Sequence, residues 1–248
     1  MDPLLQKAQN GIPLDSGPAA QAIQLQALEA LNALLEHNYP SPLDAGFVRE
    51  YAQLLELLHR FQQAVLSHHA VKPSCSGGCP TCCYHWVEDV NSFEIIAIAD
   101  YLKRHHASAI PAIVQQCRED LATLEQLYEV VQSKFAQEQA QEAGSMDALD
   151  EIDVLLGSFY QFQRPCPLLD KQGLCMIYPL RPLTCRIYFS FSDPKRCHPD
   201  YINEADTPTY LLDFDEPVNE LFDRLHQRYQ GEGEGDTGLR SLLLSYLS

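Results

Sequence analysis

Cys75-Ser76-Gly77-Gly78-Cys79-Pro80-Thr81-Cys82-Cys83 is the stretch from which the rest of the chain is read. Four cysteines fall within nine residues, and Gly77, Gly78 and Pro80 exclude a regular helix or strand through them. A second set, Cys166, Cys175, Cys185 and Cys197, lies far downstream, with only Cys117 between the two sets. Short-range thiol pairs on tight turns, joined to distant thiols, are the pattern of metal sites. The near pair costs little loop entropy and the distant pair ties the fold together.

The segments between and around the cysteines read as helices. Ala19 to His37 returns Ile23, Ala27, Ala30, Leu31 and Leu34 at helical spacing, and Tyr39-Pro-Ser-Pro-Leu-Asp ends it. Asp44 can cap a second helix running to about His69, with Phe47, Tyr51, Leu54, Leu55, Leu58, Phe61, Val65 and Leu66 on one face. The two make an antiparallel hairpin, preceded by an irregular arm over residues 1–17. After the first cysteine loop, Asn91 and Glu94 have capping-box spacing. A long helix follows from about Ile110 to Gln141, and another spans Met146 to Phe162. Cys117 sits on the apolar stripe of the long helix and reads as a core residue, since buried free cysteine behaves as a small hydrophobe. Residues 164–200 carry many Pro, Gly and Cys, which predicts turns and a short strand at Arg186-Ile-Tyr-Phe. Pro217 to Tyr229 reads as a helix, Gly231 to Gly238 as a flexible acidic linker, and Leu239 to Leu247 as an apolar segment that must dock.

The expected fold is therefore mainly α: a helical domain around a Cys-rich irregular metal-binding core, with an N-terminal helical hairpin. The expected division is an N-terminal helical extension over 1–70, a cysteine-cluster domain over 71–200, and C-terminal helices over 201–248 with the acidic Gly-rich linker at 231–238.

The chain has 248 residues, a formal charge of −17 and nine cysteines. The acidic balance argues against nucleic acid, which needs clustered Lys and Arg. No basic region precedes an apolar run at the N-terminus, and no apolar run approaches the ~20 residues that span a bilayer, so a cytoplasmic protein without a membrane segment is expected. An odd count of cysteines in a chain of this size favours metal ligands over a disulfide framework. A thioredoxin-like use of Cys79 and Cys82 would need a helix start after a strand, whereas here a glycine loop follows a helix.

With Cys117 set aside, eight candidate metal ligands remain: Cys75, Cys79, Cys82, Cys83, Cys166, Cys175, Cys185 and Cys197. Adjacent Cys82 and Cys83 project differently and suit separate metals, or separate irons of one cluster. Zinc and an iron–sulfur cluster both accept such thiolate sets. The vicinal pair and the aromatics Tyr84, Trp86, Tyr178, Tyr188 and Phe189, which could shield a cluster, tilt the expectation toward iron–sulfur. Between Arg164 and Cys197 six basic residues face two acidic ones, a local +4 in a chain whose remainder carries −21. Cations favour deprotonated thiols. Arg181 and Arg186 are accordingly expected near thiolate sulfur or buried carboxylates, and His85 and His198 in supporting positions.

Cys-x3-Cys-x2-Cys-Cys, followed by Cys166-Pro-Leu-Leu, Cys175-x-Ile-Tyr and Arg181-Pro-x-x-Cys185-Arg186, resembles the YkgJ-type cysteine-cluster family over roughly residues 75–190. The resemblance implies a zinc- or iron-chelating domain. Seven ligands carry over on the motif (Cys75, Cys79, Cys82, Cys83, Cys166, Cys175 and Cys185), and Cys197 lies beyond it. The signature also appears in flagellin lysine N-methylase, which implies an enzymatic alternative: a component of a protein-modifying or electron-transfer enzyme. The chain is short for such a methylase and has no glycine-rich strand-to-helix turn for a nucleotide-like cofactor. The leading expectation is a metal-binding protein with a helical surface for a protein partner.

Overall fold

The computed structural model describes residues 15–75, 78–141, 151–201, 209–231 and 238–248. Helix α1 (Gly17–His37) and helix α2 (Ala45–His68) form the expected hairpin. Asn38 ends α1 in the left-handed conformation, and the Asp44 carboxylate caps α2 by accepting from the Gly46 N–H at 2.7 Å. Across the turn, Tyr39 donates its hydroxyl to Glu50 at 2.8 Å. Helix α3 (Ser92–His105) begins with the predicted capping box of Asn91 and Glu94. Helices α4 (Ile110–Gln141) and α5 (Glu151–Gln161) follow. The expected start of α5 at Met146, the arm over residues 1–14 and the linker over 232–237 lie outside the described residues.

The expected strand at Arg186 is displaced. Helix α6 (Leu183–Ile187) occupies that position, and strand β1 (Tyr188–Ser190) begins only afterwards, paired antiparallel with β2 (Thr209–Leu211). The helical turn wins because its first N–H has a partner: Leu183 donates to the Glu94 carboxylate at 2.8 Å, as a capping side chain would accept it. Helix α7 (Glu216–Tyr229) carries proline in its first turn, and helix α8 (Leu239–Leu247) forms from the final apolar segment.

Two apolar cores result. The first joins the hairpin to α7 through Leu31, Leu34, Leu54, Leu58, Val218 and Leu225, together with Phe93, Leu212 and Phe214. The second gathers Ile95, Ile98 and Leu102 of α3, Ile113 and Cys117 of α4, and Leu239, Leu242 and Leu243 of α8 around Leu168 and Ile177. Helix α3 is thus the wall between them, with Phe93 on one side and the Ile95-Ile98-Leu102 row on the other. Buried Gln62 of α2 stitches the hairpin to the cysteine segment, donating to the Arg186 carbonyl at 3.1 Å and the Leu212 carbonyl at 3.0 Å. Docking of α8 is the reason its apolar face is compatible with water. Among the described residues no helix is long and apolar enough to cross a membrane.

Two glycines test packing against propensity. Helix propensity favours Ala over Gly at both, by about 1 kcal/mol. A Cβ on Gly46 would lie 2.5 Å from the Tyr39 ring, whereas one on Gly157 meets nothing within 4 Å. In urea unfolding, Gly46→Ala is expected to destabilise by about 1–3 kcal/mol through overpacking. Gly157→Ala is expected to stabilise by about 0.5–1 kcal/mol.

Candidate metal centre

The first cysteine segment owes its shape to two local features and one distant one. Gly78 adopts φ +87°, a region open to glycine, and the Cys83 N–H closes a turn on the Pro80 carbonyl at 2.8 Å. Thr81–Tyr84 then forms a single 3-10 turn that presents Cys82 and Cys83. Upstream, Ser74 donates its N–H to the Ser190 carbonyl at 2.8 Å, so the chain runs beside β1. In return the Ser190 N–H donates to the Cys75 sulfur at 3.3 Å.

The second segment is held against the first. The Cys166 N–H donates to the Cys83 carbonyl at 2.6 Å, a direct backbone link between the two cysteine runs. From Leu168 to Met176 the chain makes a tight hairpin. Asp170 accepts from the Gln172 and Leu174 N–H groups at 2.9 and 2.8 Å, and Gly173 takes φ +78°. This turn carries Cys175 back to the bridge with Leu169. Cys185 sits within α6, and the Pro194–Cys197 turn lies against the Thr81–Tyr84 turn, bringing Cys197 to the same side.

The two cysteine runs thus meet at the Cys166–Cys83 bond, and Cys82 is the thiol that acts electrostatically on most of the others. Its charge is felt at Cys75, Cys83, Cys166, Cys175 and Cys185, and Cys75 also feels Cys79 and Cys197. The Cys83 thiol hydrogen-bonds to Cys82 and lowers it to about 6, while the same bond drives Cys83 far above the ordinary thiol range. Burial pushes Cys166 up to about 11 and Cys117 up to about 12, and raises Cys185 as well. All nine cysteines are free thiols; Cys117 is fully buried, and Cys75 and Cys82 are exposed. Among the described residues no three Cys, His, Asp or Glu donors converge closely enough to hold an ion. The described residues therefore show two cysteine segments joined by a backbone bond, and no defined metal-binding core. The donors fit zinc or iron in kind, since both are thiophilic.

Around the thiols, the expected supporting residues take distinct places. Arg186 donates to the Arg181 carbonyl at 2.6 Å and the Pro179 carbonyl at 2.9 Å, tying the turn before Cys185 to α6. Arg181 lies 5.4 Å from the Tyr178 ring, and its charge favours the thiolate forms of Cys82, Cys175 and Cys185. His85 stacks on Tyr160 at 3.7 Å, and desolvation holds it below the ordinary imidazole range. His198 pairs with Asp200 at 3.3 Å near the surface. Trp86 is buried, while Tyr178 and Tyr188 are 56% and 54% exposed, so those two tyrosines give the cluster little cover.

Two contributors were not singled out in the sequence. Glu94, read only as a capping residue, is buried and receives the Tyr51 hydroxyl at 2.9 Å, the Leu183 N–H at 2.8 Å and the Asn91 N–H at 3.1 Å. Arg240 is buried against Asp120 beside Pro165. The one available signal was that Arg240 is the sole charge in an otherwise apolar final segment.

The family described as "Putative zinc- or iron-chelating domain" (CxxCxxCC) matches residues 74–206, just over half the chain and a span that includes all eight cysteines of the expected ligand set. The chain belongs to this family. No curated protein and no solved structure matches it.

Burial raises the Glu94 carboxyl above its ordinary value of 4.5, outweighing the hydrogen bonds that lower it. The folded chain therefore holds this proton more tightly than the unfolded chain does. The resulting stability is fully present below pH 4.5 and is lost as pH rises through the folded-state value. Urea unfolding of the wild type between pH 4 and 7 is expected to show this decline relative to Glu94→Gln, which cannot titrate. Parallel pH curves for the two proteins would refute the assignment.

Proposed function

We propose that the chain is a metal-binding protein holding zinc or an iron–sulfur cluster through the thiolates of Cys75, Cys79, Cys82, Cys83, Cys166, Cys175, Cys185 and Cys197. The observation that carries this reading is the backbone bond from Cys166 to Cys83, which joins the two cysteine segments. Membership of the zinc- or iron-chelating family supports the same reading.

The chemistry follows from the donors. A dication or an iron–sulfur core lowers the pKa of each bound thiol, so ligation releases protons and compensates the cost of gathering like charges. Arg181 adds to this by favouring the deprotonated forms of Cys82 and Cys175. The exposed edge at Cys75 and Cys82 leaves one side of the site within reach of a protein partner. Cys117, buried in the second core one helix away, has no part in ligation on this reading.

Elemental analysis and an absorption spectrum on protein purified without oxygen test the proposal. Iron with matching sulfide and a broad band near ~400 nm identifies a cysteine-ligated cluster. Colourless protein with about two zinc ions per chain identifies closed thiolate sites. Cys82→Ser is expected to reduce metal content in either case. Cys117→Ser is expected to keep full metal content while losing about 1–3 kcal/mol of stability, because it buries a hydroxyl in an apolar core. Wild-type protein with free thiols and neither metal would overturn the reading.

A further inference from the structure

A chain with a formal charge of −17 repels its own copies, so a self-contact must set its cations against its anions. One face has that arrangement. Where α4, α5 and α8 meet, an apolar cleft of about 540 Å³ lies between Leu121 and Leu124 of α4, Leu155 of α5 and Leu244 of α8. Tyr128 of α4 also lines it and is 43% exposed. Arg118 and Glu125 of α4 complete the lining, and both are exposed. They stand seven residues apart, two turns and about 10 Å of rise along one helix face. Among the described residues neither has an ion-pair partner.

We propose that this face joins two copies of the chain, with α4 packed antiparallel on α4 about a two-fold axis between Leu121 and Ala122. In that register Arg118 of each copy stands opposite Glu125 of the other, so the symmetry makes the ion pair twice. Leu121 stands opposite Ala122 at the crossing, where the small side chain lets the helix axes approach to about 8–10 Å. Tyr128 falls opposite the exposed, uncharged Gln115. A parallel two-fold pairing would set Arg118 on Arg118 and Glu125 on Glu125, and like charges reject it. The second copy covers the cleft and removes its apolar lining from water. This contact stands apart from the cysteine segments and does not depend on the metal reading.

Sedimentation equilibrium of the full chain tests this. A face of this size suits a weak dimer, with a Kd of about 1–100 μM. Arg118→Glu and Glu125→Arg each turn two ion pairs into two like-charge contacts, and each is expected to weaken the dimer by at least about tenfold. Both positions are exposed, so the fold of the single chain is kept. Arg118→Glu takes the chain from −17 to −19 and Glu125→Arg takes it to −15. A net-charge effect alone would therefore weaken the first dimer and strengthen the second. The double exchange rebuilds both pairs with reversed sign and is expected to return to within about threefold of wild type. A wild-type chain that stays monomeric up to about 200 μM, well above that Kd range, would overturn the proposal. So would a dimer indifferent to either reversal, single variants that move in opposite directions, or a double exchange no tighter than the singles.

Discussion

The buried Glu94 carboxylate is the constraint on which the arrangement depends. It closes the capping box of α3, receives the Tyr51 hydroxyl from the N-terminal hairpin, and supplies the missing acceptor for the first turn of the helix that carries Cys185. A carboxylate out of water is tolerated only when its lone pairs are used, and here three elements meet because each provides a donor. Gln62 makes a parallel connection from the hairpin to the backbone around Arg186 and Leu212. The N-terminal hairpin is therefore bound to the cysteine segment through buried polar contacts as well as through apolar packing.

Glu94 and Gln62 meet the cysteine segment on either side of Cys185, at the Leu183 N–H and the Arg186 carbonyl. The backbone bond from Cys166 to Cys83 and the turns at Thr81–Tyr84 and Pro194–Cys197 bring distant parts of the chain to one side of the molecule. The match to the family described as "Putative zinc- or iron-chelating domain" covers this region. The basic residues around it divide in a way their shared charge does not suggest. Arg186 spends its hydrogen bonds on backbone carbonyls, Arg181 acts on the thiols electrostatically, and Arg240 arrives from outside the matched region.

Much of the fold was legible because helices announce themselves locally. Apolar spacing marks α1, α2 and α4, the Asn91–Glu94 pair marks the start of α3, and Cys117 lies on an apolar stripe and proves fully buried. The strand predicted from Arg186 was misplaced by the same logic, since nothing near Leu183 reveals that a carboxylate 89 residues away accepts its N–H. Strand β2 is three residues long and exists only through its pairing with β1, so periodicity could not announce it.

By itself the sequence determined the helical class, the hairpin and the core role of Cys117, because spacing, capping and residue chemistry act over a few neighbours. Tertiary structure alone decided that Cys166 bonds to Cys83, that Arg186 serves the backbone, and that Arg240 is buried against Asp120 beside Pro165. Such pairings are settled by burial: a charge or N–H removed from water must find its partner wherever the fold provides one, and sequence distance does not enter.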